Sequence, residues 1–378
     1  MIFSSKLPHV GTTIFSTMSK MAGDYNAINL SQGFPNFPTD EILIELIKQN
    51  AGANIHQYAP MAGLSSLLEG ISRLVYKCYK RDLNPTENIL VTAGATQAIF
   101  TTIQALVHKD DEVIILDPSY DCYEAPIILA GAKPIRIPLN TSFLPDWENI
   151  FKQTNDKTRL IITNNPHNPS GSVWSENDIR LLEKLILKHP NLTVLSDEVY
   201  EFITFEKAHF SVNSSDILRD RSVVVSSFGK TFHITGWKIG YIIAPEKLMI
   251  EIKKVHQFLV FSVNSLAQAC ISDYLKVTKV ESLGDFYKIK RDFFRENMKS
   301  SRFELFPCDG TYFQIASYKS ISSESDLDFS KRLIKEFGVA AIPLSVFNGN
   351  QDDQKLIRFC FAKDEQTLIS ATERLCKI

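Results

Sequence analysis

Lys230 is the residue best placed for chemistry. It ends the stretch Ser226-Ser227-Phe228-Gly229-Lys230 and is followed by Thr231-Phe232-His233-Ile234-Thr235-Gly236-Trp237-Lys238. Most lysines are solvated surface charges, but Lys230 sits among Phe228, Gly229, Phe232 and Ile234, just after an apolar run. Desolvation and a second nearby cation both lower the pKa of an amine and make it a usable nucleophile. Lys238 could be that cation while binding a phosphate, or a plain exposed lysine. Ser196-Asp197-Glu198-Val199-Tyr200 follows another apolar run. An aspartate there could cap a helix, or face a pyridine ring and stabilise its protonated nitrogen. Asn164-Asn165-Pro166-His167-Asn168-Pro169-Ser170-Gly171 is rich in turn formers, yet two prolines bracketing Asn168 would hold its amide rigid. Gly94-Ala95-Thr96-Gln97 opens a helical pattern, where free N–H groups could bind an anion, or where glycine serves only the turn. Arg358 lies inside the apolar Leu356-Ile357-Arg358-Phe359 and requires a partner there, either a carboxylate gripped at two points or a structural salt bridge. Each feature is ambiguous alone. Together they match one molecule, with a lysine for an aldehyde, an aspartate for a ring nitrogen, Asn and Tyr for a ring hydroxyl, and donors for a phosphate.

These residues must be brought together by the elements between them. Short Val- and Ile-rich runs at 89–91, 113–116, 135–137, 160–162, 194–195, 223–225 and 241–244 alternate with helical segments. Runs this apolar suit strands buried on both faces of a largely parallel α/β sheet, with room for an antiparallel member near the end. In open α/β sheets ligands sit outside the carboxyl ends of the strands, which is where these polar stretches fall. Helices are expected at 40–50, 64–79, 95–107 and 246–260. The last hundred residues read as an α+β unit, with helices at 286–299, 327–337 and 365–376 and strands near 303–306, 312–315 and 356–361. Residues 1–40 read as an irregular arm packing with this smaller unit. The expected division is 1–40, 41–270 for the large domain and 271–378 for the small one.

Composition narrows the partners. The chain has 378 residues, 44% hydrophobic and 22% charged, with 41 basic against 43 acidic side chains. That balance gives no electrostatic reason to expect nucleic acid or an anionic membrane. The six cysteines are scattered without a CxxC pair, so reduced thiols in a cytoplasmic protein are expected rather than a metal site. No signal-peptide pattern and no run of about 20 apolar residues is visible.

The stretches NLSQGFPNFP (29–38), HQYAPMAG (56–63), VTAGATQAIF (91–100), DPSYDCYE (117–124), NNPHNPSG (164–171), SDEVYE (196–201), SSFGKTFHITGWKIGY (226–241) and LIRFCFAKDE (356–365) are similar, in order and spacing, to the class I aminotransferases of fold type I. Within these the chain most resembles the methionine aminotransferase group, near the kynurenine aminotransferase/glutamine transaminase K branch. The resemblance implies the pyridoxal-phosphate-dependent transferase fold, with a mostly parallel seven-stranded sheet in the large domain and a smaller α+β domain. It implies pyridoxal 5'-phosphate as cofactor, an amino acid and a 2-oxo acid as substrates, and a homodimer with shared active sites. Position by position, Lys230 matches the lysine that condenses with the cofactor aldehyde and serves as general acid and base. Asp197 matches the partner of the ring nitrogen, and Asn168 and Tyr200 the partners of the ring oxygen. Ala95 and Thr96 match backbone donors to the phosphate, Ser227 and Lys238 side-chain donors, and Tyr120 the ring that stacks on the cofactor. Tyr58 matches a tyrosine that reaches the neighbouring subunit's phosphate. Arg358 matches the clamp on the substrate α-carboxylate, assisted by Gly33 and Asn168. Phe15, and Phe261 from the partner subunit, are expected to line the side-chain pocket, where aromatic walls suit Met, Phe, Tyr or Trp better than Asp. Asn165 stands where Thr is common, which should leave Asn168 undisturbed. Tyr120 stands where the kynurenine branch commonly has Phe, which tells against kynurenine as the preferred substrate. A C–S β-lyase acting on cysteine conjugates would need the same Lys230, Asp197 and Arg358. A non-catalytic binding protein on this fold would not need the cofactor set intact.

Overall fold

In the computed structural model, which describes residues 4–378, all seven apolar runs become strands of one sheet. Across the sheet they lie in the order Ile89–Thr92, Gly240–Ile243, Ser222–Ser227, Thr193–Asp197, Thr158–Asn164, Glu112–Asp117 and Lys133–Pro138. Gly240–Ile243 runs antiparallel to both its neighbours, and the remaining pairings are parallel. The side-chain alternation of a strand explains the composition. Val223 and Val225 pack on one face with Leu90, Ile115 and Leu195, while Val224 packs on the other with Val91, Ile114 and Val194. Both faces are buried, so apolar residues dominate both positions in the alternation.

Helices cover each face. Gly94–Leu106 and Glu246–Leu259 supply Ala98, Ile103, Met249 and Ile252 to one side. Ser65–Tyr79, Glu176–Lys188 and Ser265–Tyr274 supply Leu67, Ile71, Leu182, Leu185 and Ile271 to the other. The helix Glu176–Lys188 starts with a reciprocal capping box, in which Ser175 and Asp178 satisfy each other's backbone N–H groups. Helix Ser265–Tyr274 packs against Glu41–Ala51 and Ser65–Tyr79, so the expected limit at residue 270 falls inside an element that belongs with the large sheet.

Beyond it, helix Leu283–Asn297 leads into a four-stranded antiparallel sheet in the order Ile342–Pro343, Leu356–Cys360, Phe313–Ser317 and Glu304–Leu305. Helices Asp326–Phe337 and Glu365–Leu375 pack on it through Phe329, Leu333, Leu368 and Leu375.

The N-terminal segment departs from expectation. Instead of an irregular arm, it forms the helix Ile14–Asp24, started by the Thr13 side chain accepting from the Ser16 N–H, and then the short strand Ile28–Asn29. That strand pairs in parallel with Val339–Ala340. The helix is held by Met18 and Ala22, one turn apart and both buried against Ile334, Ala340 and Ile342. Ser16, Thr17, Ser19 and Gly23 are weak helix formers, so packing decides the conformation where propensity does not. We predict that Met18→Ala destabilises the protein by about 2–5 kcal/mol, the usual range for a buried methionine. A lower denaturant midpoint would show it, and an unchanged midpoint would mean that the helix is not docked.

Candidate active site

The carboxyl ends of the central strands open onto a cavity of about 560 Å³, closed on its other side by the small sheet and the N-terminal segment. Twelve of the fourteen residues singled out from the sequence line it or lie at its wall. Ala95, Thr96, Tyr120, Asn168, Asp197 and Tyr200 come from the large sheet's loops, followed by Ser227, Lys230 and Lys238, while Phe15, Gly33 and Arg358 come from the opposite wall.

One end of the cavity is built for an anion. Helix Gly94–Leu106 has no side-chain cap, because the residue before it is Ala93, so its first N–H groups are left without a capping acceptor, and Gly94, Ala95 and Thr96 line the cavity. Gly94 takes a positive φ of 77°, and a Cβ there would fall 3.1 Å from the Lys238 Nζ, which measures how close that ammonium lies to the helix start. Lys238 has no salt bridge among the described residues. Gly240 also has to be glycine, since a Cβ on it would lie 2.7 Å from the Ser226 carbonyl and 3.1 Å from the Ala95 nitrogen. Backbone donors, an ammonium and the Thr96 and Ser227 hydroxyls together suit a phosphate dianion.

Asp197, at the end of Thr193–Asp197, is 3% exposed. The Tyr123 hydroxyl donates to its Oδ2 at 2.7 Å and the Val199 N–H to its Oδ1 at 3.3 Å. Burial outweighs these bonds and pushes its carboxyl up to about 6, so a cationic partner would be favourable here. A protonated pyridine nitrogen meets that need.

Asn168 is fixed from three directions. Its N–H donates to Asn164 Oδ1 at 2.7 Å, and Asn164 in turn donates to the Asp197 carbonyl at 2.9 Å. Its own Oδ1 accepts from Arg358 Nη1 at 2.6 Å, which leaves the amide nitrogen to donate. His167 pins the loop beneath. Its Nε2–H donates to the Pro118 carbonyl at 2.9 Å, so Nδ1 accepts from the Ser170 hydroxyl at 2.6 Å. Burial lowers His167 to about 4 and keeps it neutral.

Arg358 is 1% exposed in the middle of the small sheet, with its guanidinium 3.8 Å from the Phe313 ring centre and within 5.4 Å of the Phe15 and Phe347 rings. Its other polar contact is Nη2 to the Ser31 carbonyl at 3.2 Å, and its buried Nε has no partner. The structural salt bridge that could have explained this arginine does not form among the described residues. A buried guanidinium held only by neutral oxygens and rings is poised for a carboxylate.

Lys230 faces this wall. Its Nζ donates to Tyr312 Oη at 2.8 Å and to the Gly33 carbonyl at 3.2 Å. Burial lowers its pKa to about 8, with Arg358 and Lys238 pushing the same way. The donor set, the carboxylate and the amine fit pyridoxal phosphate, group for group.

Two expected residues lie elsewhere on the single chain. Tyr58 is 83% and Phe261 47% exposed, packed edge to face on each other at 5.4 Å and outside the cavity. Tyr123 and Tyr312 were not foreseen. Tyr123 stands in the DPSYDCYE stretch, 74 residues from the Asp197 it serves, and Tyr312 follows Gly310-Thr311, a turn signal with no chemical mark of its own.

Comparison with known proteins agrees with this geometry. The family model described as aminotransferase class I and II matches residues 25–375. The chain is 46% identical to methionine aminotransferase of Escherichia coli (strain K12), over 99% of this chain and 98% of that protein. It is 30% identical to kynurenine–oxoglutarate transaminase 1 of Rattus norvegicus, over 98% and 97% of the two chains. The solved structure of YbdL from Escherichia coli, reported with a methionine aminotransferase function, superposes with a TM-score of 0.97 at 46% identity and covers all of both chains. With a matching family model over most of its length and a cavity that fits the cofactor, the chain belongs to the class I and II aminotransferases, which depend on pyridoxal phosphate.

Proposed function

We propose that this aminotransferase takes the amino group from methionine or another large neutral or aromatic L-amino acid, gives it to a 2-oxo acid by a ping-pong cycle, and does so as a cytoplasmic homodimer. The observation that carries the reading is Arg358, a buried cation without an acidic partner among the described residues, ringed by Phe15, Phe313 and Phe347 beside Lys230. A carboxylate on the guanidinium places the rest of an amino acid against aromatic walls, which favour apolar side chains over acidic ones. The 46% identity to a methionine aminotransferase supports the same donor class. Six unpaired cysteines suit a reducing compartment, and no described helix is long and apolar enough to cross a membrane.

In this reading Ala95 and Thr96 N–H groups, Ser227 and Lys238 hold the cofactor phosphate. Tyr120 stacks on its ring, Asn168 and Tyr200 bind the ring oxygen, and Asp197 holds a proton on the ring nitrogen. The bound cofactor supplies an electron sink for the charge left when the α-proton departs. Arg358 orients the substrate carboxylate, with Asn168 steadying the guanidinium and Gly33 lining the same wall. Lys230 Nζ accepts the α-proton and later returns it. An amine near pH 8 suits both duties, since each protonation state is accessible close to neutrality.

Tyr58 and Phe261 act across the dimer in this account. With Phe258 and Leu259, 87% and 46% exposed, they form an apolar patch, and Phe261 adopts a positive φ of 65°, uncommon for a bulky residue. We assign the patch to a second copy of the chain, where Tyr58 reaches the phosphate and Phe261 the substrate side chain.

The donor class is tested by steady-state assays with methionine, phenylalanine and aspartate against a panel of 2-oxo acids. We expect parallel double-reciprocal lines and kcat/KM far higher for methionine than for aspartate, with Phe261→Ala lowering the methionine value about tenfold. An aspartate preference would refute the assignment, as would a Phe261→Ala variant with unchanged donor preference. Pyruvate and ammonia from a cysteine S-conjugate without any 2-oxo acid would favour the β-lyase. Site sharing is tested by mixing Tyr58→Ala with Lys230→Ala after dissociation. Hybrid dimers should regain activity that neither variant has alone, and no regain would argue that Tyr58 serves its own chain.

A further inference from the structure

Tyr312 is fully buried at the start of strand Phe313–Ser317 and touches the reactive lysine. Its hydroxyl donates to the Gly33 carbonyl at 2.7 Å and accepts from Lys230 Nζ at 2.8 Å, while Nζ also reaches the Gly33 carbonyl at 3.2 Å. The three groups form a closed triangle built by three distant parts of the chain.

Each corner is held in place. The Tyr312 ring packs edge to face on Tyr200 at 5.2 Å and on Phe313 at 4.9 Å, with Tyr287 at 5.5 Å. Gly33 approaches closely because it has no side chain, as a Cβ there would fall 2.7 Å from Phe313 Cζ. The single hydroxyl hydrogen of Tyr312 is committed to Gly33, so its oxygen is left to accept from the amine.

We propose that Tyr312 Oη and the Gly33 carbonyl form a seat for the Lys230 amine whenever it is not bonded to the cofactor, making Tyr312 a positioning residue for proton transfer. This rests on the reading of Lys230 as the proton carrier. The chemistry of the seat fits that duty. Lysine ends a flexible four-carbon stem, and a free amine without anchors spends little time in one geometry. A carboxylate anchor would fix it as the ammonium, whereas two neutral oxygens hold it in either charge state. When the neutral amine gives two N–H groups to the seat, its lone pair is directed away from both oxygens and remains available for a proton.

The test uses Tyr312→Phe, which keeps the packed ring and removes only the hydroxyl. In the cofactor-free protein, competitive acetylation of Lys230 followed by mass spectrometry across pH should show the amine titrating lower than in wild type, because an acceptor of the ammonium is gone. In the holoenzyme, the single-turnover rate with methionine should fall about 10- to 100-fold, as expected for one lost hydrogen bond to a charged group. Methionine affinity should be unchanged, and the isotope effect from α-deuterated methionine should rise. Unchanged labelling or an unchanged isotope effect would overturn the seat. If the variant does not fold, a crystal structure of the wild-type protein with pyridoxamine phosphate decides. Nζ within hydrogen-bond reach of both oxygens supports the seat, and Nζ elsewhere overturns it. Cofactor failing to bind the wild-type protein would instead sink the reading of the site, a result the labelling experiment does not depend on.

Discussion

Three cations, Lys230, Lys238 and Arg358, share one cavity with the carboxylates of Asp197 at its floor and Asp121 on its lining, and the rest of the site is arranged around that imbalance. Like charges in a poorly hydrated cavity raise the free energy of the folded chain. The structure tolerates Lys230 and Arg358 by giving each neutral partners. Lys230 has a phenol and a carbonyl, and Arg358 has an amide oxygen, a carbonyl and an aromatic face, while Lys238 is exposed beside the start of helix Gly94–Leu106. A phosphate and an α-carboxylate are the anions that complete such a set. Burial lowers the Lys230 pKa, and the neighbouring Arg358 and Lys238 push it the same way, so the enclosure that demands anions also tunes the amine.

Holding groups this precisely requires a rigid frame. The parallel strands end at one level, and short bonds tie their ends together. Asn164 bridges Asp197 and Asn168, His167 ties the Asn168 loop to Pro118, and Tyr123 reaches across to Asp197. Behind Asp197, the buried Glu198 accepts from Ser196, Val212 and His209 and fixes the turn that presents Tyr200. The opposite wall is brought by a different part of the fold. Arg358 sits on a central strand of the small sheet between Ile315 and Ile342, and Phe15 rides on the helix Ile14–Asp24. The substrate site therefore exists only where the two units and the N-terminal segment meet.

Much of this was legible in the sequence because buried parallel strands have no polar face and so stand out as apolar runs. All seven were found, and the missing helices near the end left room for the antiparallel member without identifying it. The polar stretches after those runs also marked the cavity, since a ligand site at strand ends places its residues at predictable points. What could not be read depended on contacts remote in sequence. The helix Ile14–Asp24 has weak propensity and exists because Met18 and Ala22 find a surface built three hundred residues later. The pairs Ile28–Asn29 with Val339–Ala340 and Ile342–Pro343 with Leu356–Cys360 are too short to leave a pattern. Tyr123 and Tyr312 are ordinary core aromatics by type, and only three-dimensional proximity shows that their hydroxyls serve Asp197 and Lys230. The expected limit at residue 270 falls within the helix Ser265–Tyr274, whose packing on Glu41–Ala51 and Ser65–Tyr79 is a contact remote in sequence.

The central claim is that Lys230 anchors pyridoxal phosphate and exchanges it with an amino acid in this cavity, and the most direct measurement is the visible absorption of the purified protein before and after excess L-methionine. A band at roughly 410–430 nm that shifts towards about 330 nm with methionine, and returns on adding a 2-oxo acid, is the result this account requires. A protein that shows no visible band even after incubation with pyridoxal phosphate would contradict it.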